Sequence, residues 1–390
     1  MRVYDTRRRE VCELEVGPVV SMYSCGITPY DSAHLGHAAV YLTYDVLQRR
    51  LRDAGHETRC VRNITDIDDD ILRKARELGV HYLDLAAQEI ARFDRDMAAL
   101  GILPVYAEPR ATSAIPDILS LIGRSLDAGV AYESGGAIYF RVSSFADFGA
   151  LSHLGRDEML VLAKENGGNP DDPNKHDALD FVLWQPSLPD EPVWESRWGP
   201  GRPGWHIECS ALALRELGET VDIHGGGRDL VFPHHECEMA QSESVTHRTF
   251  VRHWVHAGLV GLDGAKMSKS LGNLVFVSDL LDREPAGTVR LALLAHHYRF
   301  DWTWTDGDLA GGARRLASFE EHSGAADGMG LLDDVRAALD DDLDTPGAIA
   351  AIDAAARGTD LQPALSLLGV TLSRPQRGRD DARHGHDHAP

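Results

Sequence analysis

The sequence predicts an α/β protein built on a doubly wound parallel sheet, and two buried strands near the N-terminus carry that prediction. Val19–Ser24 is an apolar-rich run, which is typical of a strand covered on both faces. A turn-rich loop with Gly26 follows, a helix is predicted to begin near His34, and Thr58–Ile64 has the pattern of the next strand. A strand–loop–helix–strand unit places its two strands in parallel.

A second half of the same kind is predicted downstream. His206–Leu217 has a helical pattern, Thr220–His224 a strand pattern, and another helix opens at Phe232–Pro233, where proline suits the first turn. Between the halves, residues 130–200 are rich in glycine and proline and are expected to be irregular. The predicted segments are a first catalytic half (1–95), an inserted connective region (96–200), a second catalytic half (201–265), a lysine-loop region (266–320), a C-terminal helical region (321–373) and a disordered tail (374–390).

The composition bounds the class of protein. The chain has 390 residues, 43% of them hydrophobic, and a formal net charge of −22, which disfavours a large nucleic-acid interface. The N-terminus lacks the apolar run of a signal peptide, and no segment has the length of a membrane span. Five scattered cysteines do not suggest a disulfide framework. We expect a cytoplasmic monomer with no membrane partner.

His34 and His37 form the first motif that carries chemistry, in the sequence His-Leu-Gly-His. Residues three apart at a helix start project from one side, and the free N–H groups there attract phosphate. Imidazoles at this place can donate hydrogen bonds to a phosphate during reaction. For an isolated pair of histidines, the simpler interpretation is that one ring packs in the core and the other is solvated. The predicted strand–loop–helix context favours phosphate binding over that interpretation.

Lys266 and Lys269 form the second motif, Lys-Met-Ser-Lys-Ser, in a short polar loop. Two ammonium groups on such a loop suit the β- and γ-phosphates of ATP and the departing pyrophosphate. A solvated basic turn is the usual alternative for surface lysines. The five-residue match favours the phosphate interpretation.

A dispersed set of residues is a candidate metal site: Cys25, Cys209, His234 and Glu238. Two thiolates with an imidazole are typical zinc ligands, and a carboxylate can be the fourth. Spacing alone leaves open whether these are unrelated buried residues. Cys237 is next to Glu238 but is expected to point elsewhere on the helix.

Polar residues that close predicted strands are candidates for a ligand crevice. Asn63–Asp66 closes the second strand, and Gly225–Asp229 closes a later one. Glycines there would let backbone approach an adenosine, and Asp229 could accept a hydrogen bond from a ribose hydroxyl. Ordinary turn chemistry is the alternative for both, and the acidic run Asp66–Asp70 is interpreted as a solvated turn.

From about residue 3 to about residue 357, the chain resembles the cysteinyl-tRNA synthetase family of class I synthetases, which includes the cysteine ligases of mycothiol biosynthesis. Shared motifs carry the resemblance: Gly201–Cys209, Phe232–Glu236 and the lysine loop. The ligase branch is favoured by Cys25–Asp31, His37–Ala38, Glu165–Pro170, His256–Gly261 and Asn273–Ser278, and by the short remaining C-terminus, which leaves little room for an anticodon-binding domain. Asn63–Asp69 and Glu236–Glu243 are closer to the synthetases, and Val40 stands where the ligases tend to have threonine, so a divergent ligase with another amine acceptor stays open.

The resemblance implies a class I synthetase catalytic domain and a set of ligands. It implies zinc at Cys25, Cys209 and His234, with Glu238 where the synthetases place a fourth ligand. It implies contacts to a cysteinyl-adenylate from Thr28, Asn63, Thr65, Trp205, Gly227, Asp229 and the backbone near Val260.

The expected function is an ATP-dependent, AMP-forming ligase that joins L-cysteine to a small amine, most of all the amine of glucosaminyl-inositol. ATP would enter with Mg²⁺, and tRNA is not the expected acceptor. The alternative is a cysteinyl-tRNA synthetase that lacks a full anticodon-binding domain. A third interpretation is a synthetase-like binding protein, which cysteine-dependent pyrophosphate exchange would distinguish.

Overall fold

The computed structural model describes residues 1–30, 32–262, 264–267 and 272–373. Its strands are β1 Arg2–Asp5, β2 Glu10–Glu13, β3 Val19–Ile27, β4 Glu57–Ile64, β5 Ala131–Ser134, β6 Ala137–Phe140, β7 Phe181–Gln185, β8 Arg202–Pro203, β9 Val221–Gly227, β10 Val251–Ala257, β11 Val260–Leu262, β12 Ala265–Lys266 and β13 Trp302–Trp304. Its α-helices are α1 Leu35–Asp53, α2 Asp69–Leu78, α3 Tyr82–Ala99, α4 Ile115–Asp127, α5 Arg156–Glu165, α6 Trp205–Leu217, α7 Glu236–Thr246, α8 Val277–Leu281, α9 Ala286–Leu294, α10 Asp306–His322, α11 Met329–Asp340, α12 Thr345–Asp353 and α13 Gln362–Leu367.

The central sheet confirms the predicted doubly wound arrangement. Its strands lie in the order β10-β9-β3-β4, and every pairing is parallel. The pair β3–β4 belongs to the first half of the chain and β9–β10 to the second, so the chain winds outward in opposite directions from the central pair. Ligands bind such sheets at the carboxyl ends of the strands where the order reverses.

Alternating side chains of β3 enter two separate cores. Val20 and Met22 pack with the apolar face of α1, whose predicted core residues Ala38, Leu42, Val46 and Leu47 are all buried. Tyr23 and Cys25 face the other side, where α6 supplies Ile207 and Cys209. Because both faces of the strand are covered, its sequence is apolar-rich rather than alternating.

The inserted region corrects one expectation. Residues 130–200 are not irregular throughout, since β5, β6, β7 and β8 form an antiparallel sheet in that order. Phe140 and Phe181 stack across it with ring centroids 4.9 Å apart. The strands are two to five residues long and the β6–β7 register shifts, so the sequence shows too few alternations to reveal them.

A small sheet and a group of helices follow the second half. The strand β11 pairs with β12 in an antiparallel way and with β13 in parallel. The predicted N-cap Asp344 accepts a hydrogen bond from Gly347 N at 2.9 Å at the start of α12. Lys269 and the tail from residue 374 lie outside the described residues. No described helix combines the length and the apolar character that crossing a membrane needs.

Candidate active site

The predicted metal ligands come from three elements that meet at the carboxyl end of β3. Cys25 lies where the β3–β4 register shifts, between Ser24 and Ile27. A Cβ on the next residue, Gly26, would lie 1.6 Å from the carbonyl oxygen of Asn63, so only glycine permits this approach of the two strands. Cys209 lies in α6, and His234 and Glu238 lie just before and within α7.

The ligand atoms of Cys25, His234 and Glu238 lie within 4.8 Å of one another, whereas the fourth predicted ligand, Cys209, lies outside that group and, of these three, contacts only the Cys25 sulfur. The Cys25 and Cys209 sulfurs are 3.9 Å apart. Oε1 of Glu238 lies 3.6 Å from Cys25 Sγ and 3.2 Å from His234 Nε2. All four residues expose 5% or less of their surface.

These separations fit a zinc ion. Zinc–sulfur bonds of about 2.3 Å and zinc–nitrogen or zinc–oxygen bonds of about 2.0–2.1 Å place tetrahedral ligands about 3.8 Å apart for two sulfurs and about 3.4 Å apart for nitrogen and oxygen. The observed 3.9 Å and 3.2 Å are close to these values. The set also has the thiolate, imidazole and carboxylate chemistry that zinc prefers.

The electrostatics of the cluster also favour a bound cation. Burial raises the pKa of the Cys25 thiol well above its usual value and lowers the pKa of His234 well below its own. Oε2 of Glu238 is buried and has no hydrogen-bond partner among the described residues. A divalent cation would supply the missing partner and the positive charge that stabilises the thiolates.

Two further histidines contact the cluster and were not predicted. His235 Nε2 lies 3.2 Å from Cys25 Sγ, and its ligand atom groups with those of Cys25, His234 and Glu238 within 4.8 Å. His224 lies in β9, with Nε2 3.3 Å from Glu238 Oε1. The pair of adjacent histidines was a usable signal for His235, whereas a single histidine within a strand gave none for His224. Cys237 is buried and outside this group.

Aromatic contacts fix the orientation of His234. The Trp205 indole stacks on its imidazole with centroids 4.4 Å apart and planes 21° from parallel. On the ring's other edge, His234 Nδ1 lies 2.9 Å from His206 Nδ1. Trp205, expected to contact the cysteinyl group, therefore borders the candidate metal site directly.

Polar side chains expected to contact the substrate line the neighbouring strand ends. Asn63 Oδ1 accepts a hydrogen bond from Gly26 N at 2.9 Å, and Asn63 Nδ2 donates to Thr65 Oγ1 at 3.1 Å. Thr28 Oγ1 donates to Asp68 Oδ2 at 2.8 Å. Asn63 and Thr65 thus form one hydrogen-bonded pair beside Cys25, and Thr28 makes a separate contact with Asp68.

The acidic run after β4 is solvated only in part: Asp69 is exposed as predicted, whereas Asp66 and Asp68 have structural roles. Asp66 is fully buried and accepts hydrogen bonds from the backbone N–H and the hydroxyl of Thr112. Asp68 caps the N-terminus of α2 by accepting from Ile71 N. Burial raises the pKa of Asp68 to about 6.

The two histidines of the first motif lie at the start of α1. His34 is the N-cap, with its Nδ1 accepting from Gly36 N at 3.1 Å, and His34 N donates to His37 Nδ1 at 3.4 Å. The ring centroids are 4.0 Å apart. Both imidazoles therefore lie at a helix N-terminus, whose positive dipole end makes it a favourable place for a phosphate.

The predicted adenosine contacts lie at the ends of β9 and β10. A Cβ on Gly227 would lie 2.4 Å from Asp229 Oδ1, so the carboxylate folds back over the end of β9. Val260 begins β11, and its carbonyl oxygen accepts from Met267 N at 3.3 Å. Lys266 pairs through its backbone with Gly261, so the start of the lysine loop adjoins Val260.

Comparison with known proteins places the chain in a family. Residues 13–313 match the family described as tRNA synthetases class I (C) catalytic domain. An L-cysteine:1D-myo-inositol 2-amino-2-deoxy-alpha-D-glucopyranoside ligase of Nocardiopsis dassonvillei is 49% identical over 359 residues, which cover 91% of this chain and 88% of that protein. The chain belongs to this ligase family. A second such ligase, from Stackebrandtia nassauensis, is 48% identical over 96% of this chain and 92% of its own length.

The fold of the ligase family extends to solved synthetase structures. Mycobacterium tuberculosis methionyl-tRNA synthetase in complex with methionyl-adenylate superposes with a TM-score of 0.63. The match covers 90% of this chain and 82% of that one at 17% identity, so it concerns the fold alone. The predicted synthetase fold and family resemblance are thus confirmed.

Proposed function

We propose that the chain activates L-cysteine with ATP and transfers the cysteinyl group to the amine of glucosaminyl-inositol. One observation carries the proposal: ligases named for these two substrates are 49% and 48% identical to the chain over more than nine-tenths of its length. The cluster of thiol, imidazole and carboxylate groups at the candidate metal site further supports a substrate that carries a thiol.

In the first step, a carboxylate oxygen of cysteine attacks the α-phosphorus of ATP. A phosphorus–oxygen bond forms, the bond to the β-phosphate bridging oxygen breaks, and pyrophosphate leaves. His34 and His37 are proposed to hydrogen-bond the α-phosphate at the start of α1. Lys266 and Lys269 are proposed to neutralise the departing pyrophosphate, which would carry bound Mg²⁺.

In the second step, the acceptor amine attacks the carbonyl carbon of the cysteinyl-adenylate. A carbon–nitrogen bond forms, the carbon–oxygen bond to AMP breaks, and the nitrogen loses a proton. Thr28, Asn63 and Thr65 are proposed to hold the cysteinyl group during both steps. Asp229, with the backbone at Gly227 and Val260, is proposed to hold the adenosine.

Cys25, Cys209, His234 and Glu238 are proposed to hold zinc. A zinc ion held there would bind the thiolate of cysteine directly, a bond that serine cannot offer, so selectivity would need no editing site. Trp205 stacks on His234 and would keep that ligand in place while covering the thiol pocket. Of the four, Glu238 is the ligand proposed to yield or to share the metal when cysteine binds.

We also propose a cellular compartment and the molecules that the chain binds. Five free thiols and a thiolate metal site suit the reducing cytoplasm. The proposed partners are cysteine, ATP and the small amine, and tRNA is not the proposed acceptor. That the chain works as a monomer stays a prediction.

The test supplies cysteine and ATP together with either glucosaminyl-inositol or cysteine-specific tRNA. The proposal predicts an amide product with one AMP released per amide, and no aminoacylated tRNA. Robust charging of tRNA with no amide would overturn it. Cysteine-dependent exchange of pyrophosphate into ATP checks separately that the chain activates the amino acid.

A further inference from the structure

A line of hydrogen-bonding contacts runs away from the candidate metal site toward the protein's edge. Cys25 Sγ lies 3.2 Å from His235 Nε2. His235 Nδ1 lies 2.7 Å from His256 Nε2, and His256 Nδ1 lies 2.7 Å from the hydroxyl of Thr6. Cys25 and the two imidazoles are buried, whereas Thr6 is half-buried just after β1.

The direction of each hydrogen bond follows from the sulfur. A metal-bound cysteine is a thiolate and can only accept, so His235 Nε2 must carry the proton and donate. In a neutral ring, His235 Nδ1 then accepts, which requires His256 Nε2 to donate. His256 Nδ1 accepts in turn from the hydroxyl of Thr6. One tautomer of each ring satisfies every contact.

We propose that His256 and Thr6 are positioning residues that fix the tautomer of His235 and so hold its N–H on the Cys25 thiolate. This inference rests on the proposed metal site. Residues behind metal ligands orient them and tune their donor strength, and losing one typically costs about 10- to 100-fold in metal affinity. A hydrogen bond to a thiolate favours the deprotonated sulfur that binds the metal, and it also lowers the electron density that the sulfur gives to the metal.

His235 could itself be a ligand, since its Nε2 belongs to the four-residue group around Glu238. Its distance to Cys25 Sγ argues against that role. The contact of 3.2 Å is shorter than the roughly 3.6 Å that a sulfur and a nitrogen on one tetrahedral zinc would keep. It is a suitable distance for an N–H donor on sulfur.

The strand β10 offers a matched control. His253 is as buried as His256 and lies three residues earlier. Its Nε2 accepts from Glu15 N at 3.3 Å, and its Nδ1 lies 3.9 Å from Asp5, in a second group of possible metal ligands, Asp5, Cys12 and His253, that shares no residue with the cluster around Cys25. His253→Leu removes a buried imidazole from the same strand without touching the line of contacts.

The experiment measures zinc affinity by competition with a chromophoric chelator. The proteins compared are the wild type, His256→Leu, His256→Gln, Thr6→Val and Thr6→Ser, with His253→Leu as the control. Zinc affinity is expected to fall about 10- to 100-fold in His256→Leu, and by less in Thr6→Val. Gln keeps an N–H where Nε2 stood and Ser keeps the hydroxyl, so both are expected to recover most of the affinity.

Cobalt(II) in place of zinc gives a second readout. The thiolate-to-cobalt charge-transfer band of His256→Leu and Thr6→Val is expected to move to lower energy, because the sulfur loses hydrogen bonding, while the ligand-field bands stay unchanged. Three results would overturn the inference. The first is an equal loss of zinc affinity in His253→Leu, and the second is unchanged affinity and an unchanged charge-transfer band in both Thr6→Val and His256→Leu. The third is a change in the ligand-field bands. A wild type that binds no zinc would instead refute the proposed metal site. If His256→Leu fails to fold, the Thr6 pair decides.

Discussion

The Cys25 sulfur lies 3.6 Å from Oε1 of Glu238, a carboxylate that follows it by 213 residues. The contact joins the end of the first central strand to the first turn of α7, so it exists only when both halves of the catalytic domain are folded together. A thiolate at Cys25 beside this buried carboxylate would be unfavourable unless a cation lay between them. This pair is therefore the strongest local reason to place a metal at the site.

Zinc content should depend on Cys209 and not on Cys237. Cys209→Ala removes a sulfur 3.9 Å from that of Cys25, and zinc affinity is expected to fall by more than about 100-fold, beyond the usual cost of losing a residue behind the ligands. Cys237→Ala, the control, removes a buried thiol that, unlike Cys209, makes no hydrogen-bond contact with Cys25 among the described residues. Elemental analysis after dialysis against chelator measures both, and unchanged zinc in Cys209→Ala would refute the site.

Glu238 should stabilise the protein only when metal is bound. Glu238→Gln keeps the shape and removes a buried charge whose Oε2 has no described partner, so the zinc-free variant is expected to be at least as stable as the zinc-free wild type. The rise in Tm on adding zinc should be smaller in the variant, because a ligand is lost.

Glu208→Gln is the matched control for Glu238. Glu208 is fully buried beside Cys209 in α6, and neither of its carboxylate oxygens has a partner among the described residues. Its replacement should leave the zinc-dependent rise in Tm unchanged. An unchanged rise in Glu238→Gln as well would show that Glu238 is not a ligand.

Asp68 should make the protein less stable as the pH rises from about 4 to about 6. Burial raises its pKa from 3.8 to about 6, so the folded state holds a proton that the unfolded state has released in this window. The penalty is absent below pH 4 and complete above pH 6. Asp68→Asn keeps an N-cap for α2 and is expected to gain roughly 1–2 kcal/mol at pH 7, less than the full shift implies because the residue is partly exposed.

Urea unfolding at several pH values measures this difference. The variant and the wild type should have similar free energies of unfolding near pH 3.5 and diverge toward pH 6.5. A difference that stays constant across the range would show that folding does not change the pKa of Asp68.

Arg290 should be essential for stability. Its guanidinium is fully buried in α9, pairs with Asp45 of α1, and donates to the carbonyl oxygens of Leu100 at 3.0 Å and Leu368 at 2.9 Å. Arg290→Leu leaves the Asp45 charge with less compensation and is expected to cost about 3–5 kcal/mol. Arg283→Leu, at an exposed position after α8, should change the free energy of unfolding by less than about 0.5 kcal/mol. Equal effects in the two variants would contradict this account.

The sequence predicted the central sheet well because its strands and helices carry long periodic patterns. Val20 and Met22 of β3 are buried against α1, and Tyr23 is buried on the opposite face of the sheet, an arrangement that the apolar run of the strand predicts. The antiparallel sheet of the inserted region was missed because its strands are short. Glycine- and proline-rich connections between them dominate the local composition.

The candidate site was predictable only in part. Cys25, Cys209, His234 and Glu238 lie far apart in the chain, so their meeting followed from the resemblance and not from spacing. The contacts of His224 and His235 depend on how β9 and the turn before α7 pack, which no local pattern encodes. The solvation expected for Asp66 was wrong because Thr112, 46 residues later, covers it.

The acceptor of the cysteinyl group is the central claim, and a chase from the preformed adenylate tests it most directly. The protein is loaded with labelled cysteine and ATP, freed of excess substrate, and mixed with equal concentrations of glucosaminyl-inositol and cysteine-specific tRNA. We predict that the label appears in an amide of glucosaminyl-inositol within the first turnover and stays absent from tRNA. Label that appears on tRNA, with none in the amide, would contradict the account.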